Sequence, residues 1–150
     1  MAVFPGKGFS EVALGDTFSD AITITETHFA MGSGLAGDFN PLHVDASFAR
    51  ASRFGQRILH GPMTSAIMTG PVGMYFAGTA IAYLEHNTKF LAPVFHGDTL
   101  RSTWMITDKI DKPKAGGGIL VMSGVCRKAD DTIVAEVMGK ILVAFRYQIS

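Results

Sequence analysis

Residues 61–71 read Gly61-Pro62-Met63-Thr64-Ser65-Ala66-Ile67-Met68-Thr69-Gly70-Pro71. Proline suits the first position of a helix, where its missing N–H costs no hydrogen bond. The stretch 62–70 is apolar nearly all round, with only Thr64, Ser65 and Thr69 polar. A helix without a solvated face is a buried helix. Gly70-Pro71 kinks or ends it, though Val72–Phe76 can continue beyond the kink. Such a helix needs something to enclose it, and the second half of the chain supplies it. Residues 81–91, 99–110, 117–128 and 132–147 are extended runs, separated by Pro93 with Gly97-Asp98, by Pro113 with Gly116–Gly118, and by Ala129-Asp130-Asp131. In the last run Ile133, Ala135, Val137, Ile141, Val143 and Phe145 occupy odd positions, and Glu136 and Lys140 even ones. That is the half-buried antiparallel pattern. Upstream, residues 17–25 alternate and are rich in β-branched residues, so they form a strand. Thr25 caps a short helix through about Met31, before Gly32 and Gly34, and Asp45 caps another over Ala46–Arg53 with Gly55 as its stop. The sum is an α+β fold, an antiparallel sheet wrapped around a buried central helix.

A chain of 150 residues without linker or internal repeat is expected to be one domain, 1–150. Thirteen basic and thirteen acidic residues cancel, which gives no support for a nucleic-acid or membrane-surface partner. The lone Cys126 excludes an internal disulfide framework and a cysteine zinc site, and in a strand it is a small buried hydrophobe. No secretory leader pattern opens the chain, and no run of about eighteen apolar residues crosses a bilayer, so a cytoplasmic protein is expected. Hydrophobic residues make up 47% and charged ones 17%. That is greasy for a small monomer and points to an oligomer.

The chemistry concentrates in residues 35–49, Leu-Ala-Gly-Asp-Phe-Asn-Pro-Leu-His-Val-Asp-Ala-Ser-Phe-Ala, followed by His60-Gly61. Asp38 and His43 lie five apart in a segment that the sequence keeps out of regular helix, since Pro41 pushes Asn40 away from the α region and Gly37 permits a sharp turn. A short loop of this kind points a carboxylate and an imidazole at one small volume, as an acid–base pair gripping a water requires. In isolation the same spacing also suits a turn aspartate and a loop histidine bonding local backbone. His60 is expected to position the loop, and Asp45 to cap a helix. His28, His86 and His96 are isolated and receive no role. No His/Cys/Asp cluster has metal-ligand spacing, so no metal is expected. No glycine-rich nucleotide motif is present either, and Gly116–Gly118 is a hairpin turn.

The pattern Gly37-Asp38-x-Asn40-Pro41-Leu42-His43-x-Asp45-x-x-x-Ala49, with Phe54-Gly55, Ile58, His60 and Gly61, resembles the MaoC-like dehydratases, whose best-known branch is the (R)-specific enoyl-CoA hydratases (hydratase 2). A weaker match runs through Phe90-Leu91-x-Pro93-Val94-x-x-Gly97-Asp98-Thr99-Leu100, so the resemblance covers roughly residues 20–110. Ala36 departs from the pattern, where many relatives carry Ser, Thr, Cys or Gly. The resemblance implies the hotdog fold, with sheets paired edge to edge in a homodimer or a multiple of it. It implies reversible addition of water to a 2-enoyl-CoA, giving a (3R)-hydroxyacyl-CoA, with no cofactor beyond the coenzyme A of the substrate. Asp38 and His43 would be catalytic, Asp38 as the water-activating base. The backbone N–H of Gly61 at the helix start would hold the enolate oxygen. Asn40 and Thr69 would join the substrate-binding residues, His60 would support the loop, and Met68 to Phe76 would line the acyl pocket. Lys89, Arg101 and Arg53 would meet the coenzyme A phosphates. A thioesterase, or an acyl-binding domain without catalysis, is the alternative. Joint presence of Asp38 and His43 argues against both.

Overall fold

A computed structural model of the chain describes residues 4–147. After a single 3-10 turn at Phe9–Glu11 come β1 (Thr17–Thr23), α1 (Glu26–Ala36), α2 (Pro41–Val44), α3 (Ala46–Ala51) and α4 (Gly61–Tyr75). Then follow β2 (Ala80–Phe90), β3 (Thr99–Lys112), β4 (Gly117–Arg127) and β5 (Ile133–Ala144). The five strands form one antiparallel sheet in the order β1-β3-β4-β5-β2, and its concave face holds α4.

Alternation fixes which face each strand buries. On β3, Leu100, Ser102, Trp104 and Ile106 point inward while Arg101, Thr103 and Met105 face out. Leu100, Trp104 and Ile106 meet Met68 and Val72 of α4 and Phe76 just past its end, together with Leu120, Met122, Val137 and Ile141 from the neighbouring strands. The Trp104 indole Nε1–H donates to the Met68 carbonyl at 2.8 Å, pinning the middle of the helix to the sheet. Cys126 is buried in β4, and burial pushes its thiol above the usual range against an opposing hydrogen bond from Ser102.

The helices depart from the sequence reading in instructive ways. Of the two courses open at Gly70-Pro71, α4 takes the continuation and runs through Pro71 to Tyr75. An internal proline costs about 3 kcal/mol, whereas burying Val72 and Phe76 beyond it stabilises by about 1.5–3 kcal/mol each, so continuing wins. α1 does not stop at Met31 but continues through both glycines to Ala36, and Gly37 in the left-handed region (φ 67°) ends it. The segment at His43 is not wholly irregular, because Pro41 starts a four-residue helical turn that Asn40 caps. Asp45 caps α3 through Ser47 and Phe48 N–H as expected, but α3 ends at Ser52 rather than at Gly55.

Candidate active site

The Asp38/His43 pair is assembled from backbone outward. The N–H of Asn40 donates to Asp38 Oδ1 at 3.1 Å, which leaves Oδ2 free on the other side of the carboxylate. The Asn40 side-chain oxygen accepts the N–H of Leu42 at 3.1 Å, starting the turn that carries His43. His43 Nδ1 lies 2.7 Å from the carbonyl oxygen of Ile58. A carbonyl only accepts, so Nδ1 carries the hydrogen and neutral His43 presents a bare Nε2. Nε2 stands 3.7 Å from Asp38 Oδ2. That is too long for a direct hydrogen bond and short enough for both atoms to share one small molecule. The His43 side chain is 12% exposed and that of Asp38 50%, so the pair opens outward from a supported imidazole.

His60 is the support. Its ring is 2% exposed and stacks on His43 at 3.8 Å between centroids, with 27° between planes. Nε2 donates to the backbone carbonyl of Asp38 at 3.0 Å and lies 3.3 Å from Ser33 Oγ. Nδ1 is buried without a hydrogen-bond partner. It sits against Gly32, where an added Cβ would come within 2.7 Å of it. Gly32 is therefore the gap in α1 that admits the ring. The sequence spacing leads to no expected metal, yet the fold brings three possible ligand residues together. Ligand atoms of Asp38, His43 and His60 all lie within 4.8 Å of one another. Distance in sequence hid the grouping. Its geometry does not suit a metal: stacked rings hold their lone pairs in near-parallel planes, and His60 Nδ1 is closed off by Gly32.

Gly61 begins α4, and among the described residues its N–H meets no acceptor. The Phe90 ring covers it so closely that a Cβ would stand 3.3 Å from the ring. Gly61 shares a cleft of about 430 Å³ with Arg53, Phe54, Thr64, Phe90 and Leu91. The other named residues separate. Asn40 uses its side-chain oxygen on the cap of α2, which gives it a loop-forming role at the site. Thr69 Oγ donates to the Ala66 carbonyl at 2.6 Å and borders a different cavity, of about 260 Å³, between α4 and β1. Lys89 and Arg101 sit on the outer face of the sheet, because their inward neighbours Thr88, Phe90, Leu100 and Ser102 take the inner face. Only Arg53 of the three basic residues lines the Gly61 cleft. Met68 and Phe76 are core, Tyr75 stacks on Phe18 at 4.1 Å and Met74 faces solvent, so the groove wall lies further toward Gly61 than the sequence suggested. The sequence reading names Ile58 only as part of the family pattern and misses what its carbonyl does, and it misses Ser33, which carries no motif. It also left aside His86, which is bonded to Ser65 and Tyr83.

A model of the MaoC like domain matches residues 13–120. The chain is 32% identical over 106 residues to the (R)-specific enoyl-CoA hydratase of Rhodospirillum rubrum, covering 71% of this chain and 74% of that protein. Its structure is similar to the (R)-hydratase of A. caviae involved in PHA biosynthesis (TM-score 0.75, 25% identity, 90% of this chain and 98% of that one). A Mycobacterium tuberculosis protein with a double hotdog fold matches with TM-score 0.85 at 16% identity, over 97% of this chain and 46% of that one, a likeness of fold alone. A five-stranded hotdog sheet around α4, with these relatives, defines an enzyme of the hydratase/dehydratase class. The chain belongs to the MaoC-like domain family.

Proposed function

We propose that the protein adds water reversibly to a 2-enoyl-CoA, giving a (3R)-hydroxyacyl-CoA, and that Asp38 and His43 do the chemistry. The observation that carries this reading is the 3.7 Å gap between Asp38 Oδ2 and His43 Nε2. A water in that gap donates one hydrogen to the carboxylate and the other to the bare imidazole nitrogen, and its free lone pair faces C3. As its oxygen bonds to C3, one proton passes to Asp38, and the Asp38/His43 pair returns one proton to C2 from the same face. One hydrogen of the water ends on C2 and the other stays on the new hydroxyl, so the addition is syn and balanced. Charge that gathers on the thioester oxygen is held by the Gly61 N–H at the positive end of α4. The (R) outcome rests on the likeness to the R. rubrum hydratase.

The reading includes one catalytic domain that needs no cofactor of its own, works in the cytoplasm and pairs with a second copy. Arg53 is then the basic residue best placed for the coenzyme A phosphates, since it lines the Gly61 cleft. No described helix is long and apolar enough to cross a membrane. The test is a panel of 2-enoyl-CoA thioesters followed by loss of the enoyl absorbance, with chiral analysis of the product. Loss of absorbance with a (3R)-alcohol is expected. No hydration of any member, or release of free thiol in its place, would overturn the proposal.

A further inference from the structure

Four side chains outside the Asp38/His43 pair form one continuous row. Tyr83 Oη lies 2.9 Å from His86 Nδ1, His86 Nε2 lies 2.6 Å from Ser65 Oγ, and Ser65 Oγ lies 2.8 Å from Thr88 Oγ. The placement is built. Residues 83 and 86 are three apart and belong on opposite faces of a regular strand. A bulge in β2, where the register shifts between Tyr83 and Glu85, brings them to the same inner face, opposite Ile141 and Gly139. Gly139 makes room for the phenol, because a Cβ there would stand 2.7 Å from Tyr83 Oη.

The row is also uncharged and has a donor to spare. Burial pushes the Tyr83 phenol up to about 12. Burial also holds His86 below the usual imidazole range, against an opposing bond from Ser65. Neutral tyrosine, histidine, serine and threonine bring one hydrogen each, and three links use three of them. One hydrogen is left over, on Tyr83 if His86 donates toward it, or on Thr88 if the chain of donors runs the other way. No further acceptor meets either hydroxyl among the described residues. No cation belongs to the row.

Its position relative to the reacting carbons follows from α4. Ser65 is four residues after Gly61, on the same helix face about 6 Å further along. β2 flanks both, with Phe90 against Gly61 and Thr88 and His86 against Ser65. An acyl chain whose thioester oxygen sits at the Gly61 N–H and which follows this face passes the row about four to five bonds beyond its carbonyl carbon.

We infer that Ser65, His86, Tyr83 and Thr88 recognise an uncharged oxygen function, a hydroxyl or ketone, on the acyl chain of the substrate; the inference rests on the hydratase reading for the orientation of that chain. The experiment compares 2-hexenoyl-CoA with its 6-hydroxy derivative on the full-length protein. Wild type is expected to favour the hydroxylated substrate in kcat/KM by about threefold to tenfold, the worth of one neutral hydrogen bond. In Tyr83→Phe and Ser65→Ala that ratio should fall to near one, mainly through KM. A merely structural role lowers both substrates together and leaves the ratio in place. Calorimetry with the saturated 6-hydroxyhexanoyl-CoA and hexanoyl-CoA reads the same preference without turnover, so loss of hydration alone would indict the hydratase reading and not the recognition row. A wild-type ratio near one by both methods, or an unchanged ratio in the folded variants, overturns the inference. So does thiol release that Ser65→Ala abolishes, which would make Ser65 a nucleophile.

Discussion

At His43 a backbone carbonyl decides what the side chain can do. The Ile58 oxygen holds the Nδ1 hydrogen, so Nε2 is offered to whatever stands between it and Asp38. Asp38→Asn and His43→Ala are each expected to lower turnover of an enoyl-CoA at least ~100-fold with the circular dichroism spectrum unchanged, the usual scale for a positioned acid–base group. Near-normal rates in either variant would remove the pair from the chemistry. Gly61→Val should cut kcat about a hundred- to a thousandfold, as loss of one oxyanion donor does. The Phe90 ring it would crowd is half exposed and can yield, so the fold should survive and affinity for free coenzyme A should change less. The Asp38–His43 spacing was legible because both groups lie in one short stretch that Pro41 and Gly37 constrain. The Ser65–His86–Tyr83 row was not, since its members come from different elements and a bulge sets their facing.

Elements carry the next level of control. α1 and α4 meet through His60, and they meet closely only because Gly32 has no side chain. By the local rule that glycine breaks a helix, Gly32 and Gly34 would end α1. Tertiary packing overrode that rule: a glycine inside α1 costs about 1 kcal/mol in propensity, and it is retained where it seats a buried ring. Gly32→Ala should therefore lower turnover at least ~10-fold by pushing His60 off the Asp38 carbonyl, without the rise in melting temperature that a Gly→Ala change in a helix otherwise brings. Full activity in that variant would mean that the ring is not needed where it sits. On β2, burial holds His86 neutral below the usual imidazole range. The unfolded chain takes up that proton near pH 6.5 while the folded chain refuses it until lower pH, so stability contributed by neutral His86 is full above pH ~6.5 and declines as the medium is acidified below it. Urea midpoints taken from pH 7.5 down to pH 5.5 should fall more steeply in wild type than in His86→Gln. Parallel curves would contradict the burial argument.

For the whole molecule the open edge of the sheet matters most. β2 is an eleven-residue edge strand, and Ile81, Leu84, Phe90 and Leu91 are about half exposed on or beside it. An edge of that length and character is a template for a second chain. Leu84→Lys should turn a dimer into a monomer by light scattering at micromolar concentration; a monomeric wild type would refute the pairing. The wrapped helix and the antiparallel strands were legible, because residues 62–70 lack a polar face and the odd positions of β5 are apolar. Strand order was not, since antiparallel runs of similar pattern pair equally well in several orders until the core chooses among them. That order, β1-β3-β4-β5-β2, has a consequence for biosynthesis. β1 waits for β3, which begins at Thr99, and β2 waits for β5, which begins at Ile133. While the ribosome is still making the first two thirds of the chain, no strand has its partner and the greasy helix between them has no cover. Folding of this domain therefore waits largely for β5, and a nascent chain arrested before Ile133 is a client for chaperones rather than a half-built enzyme.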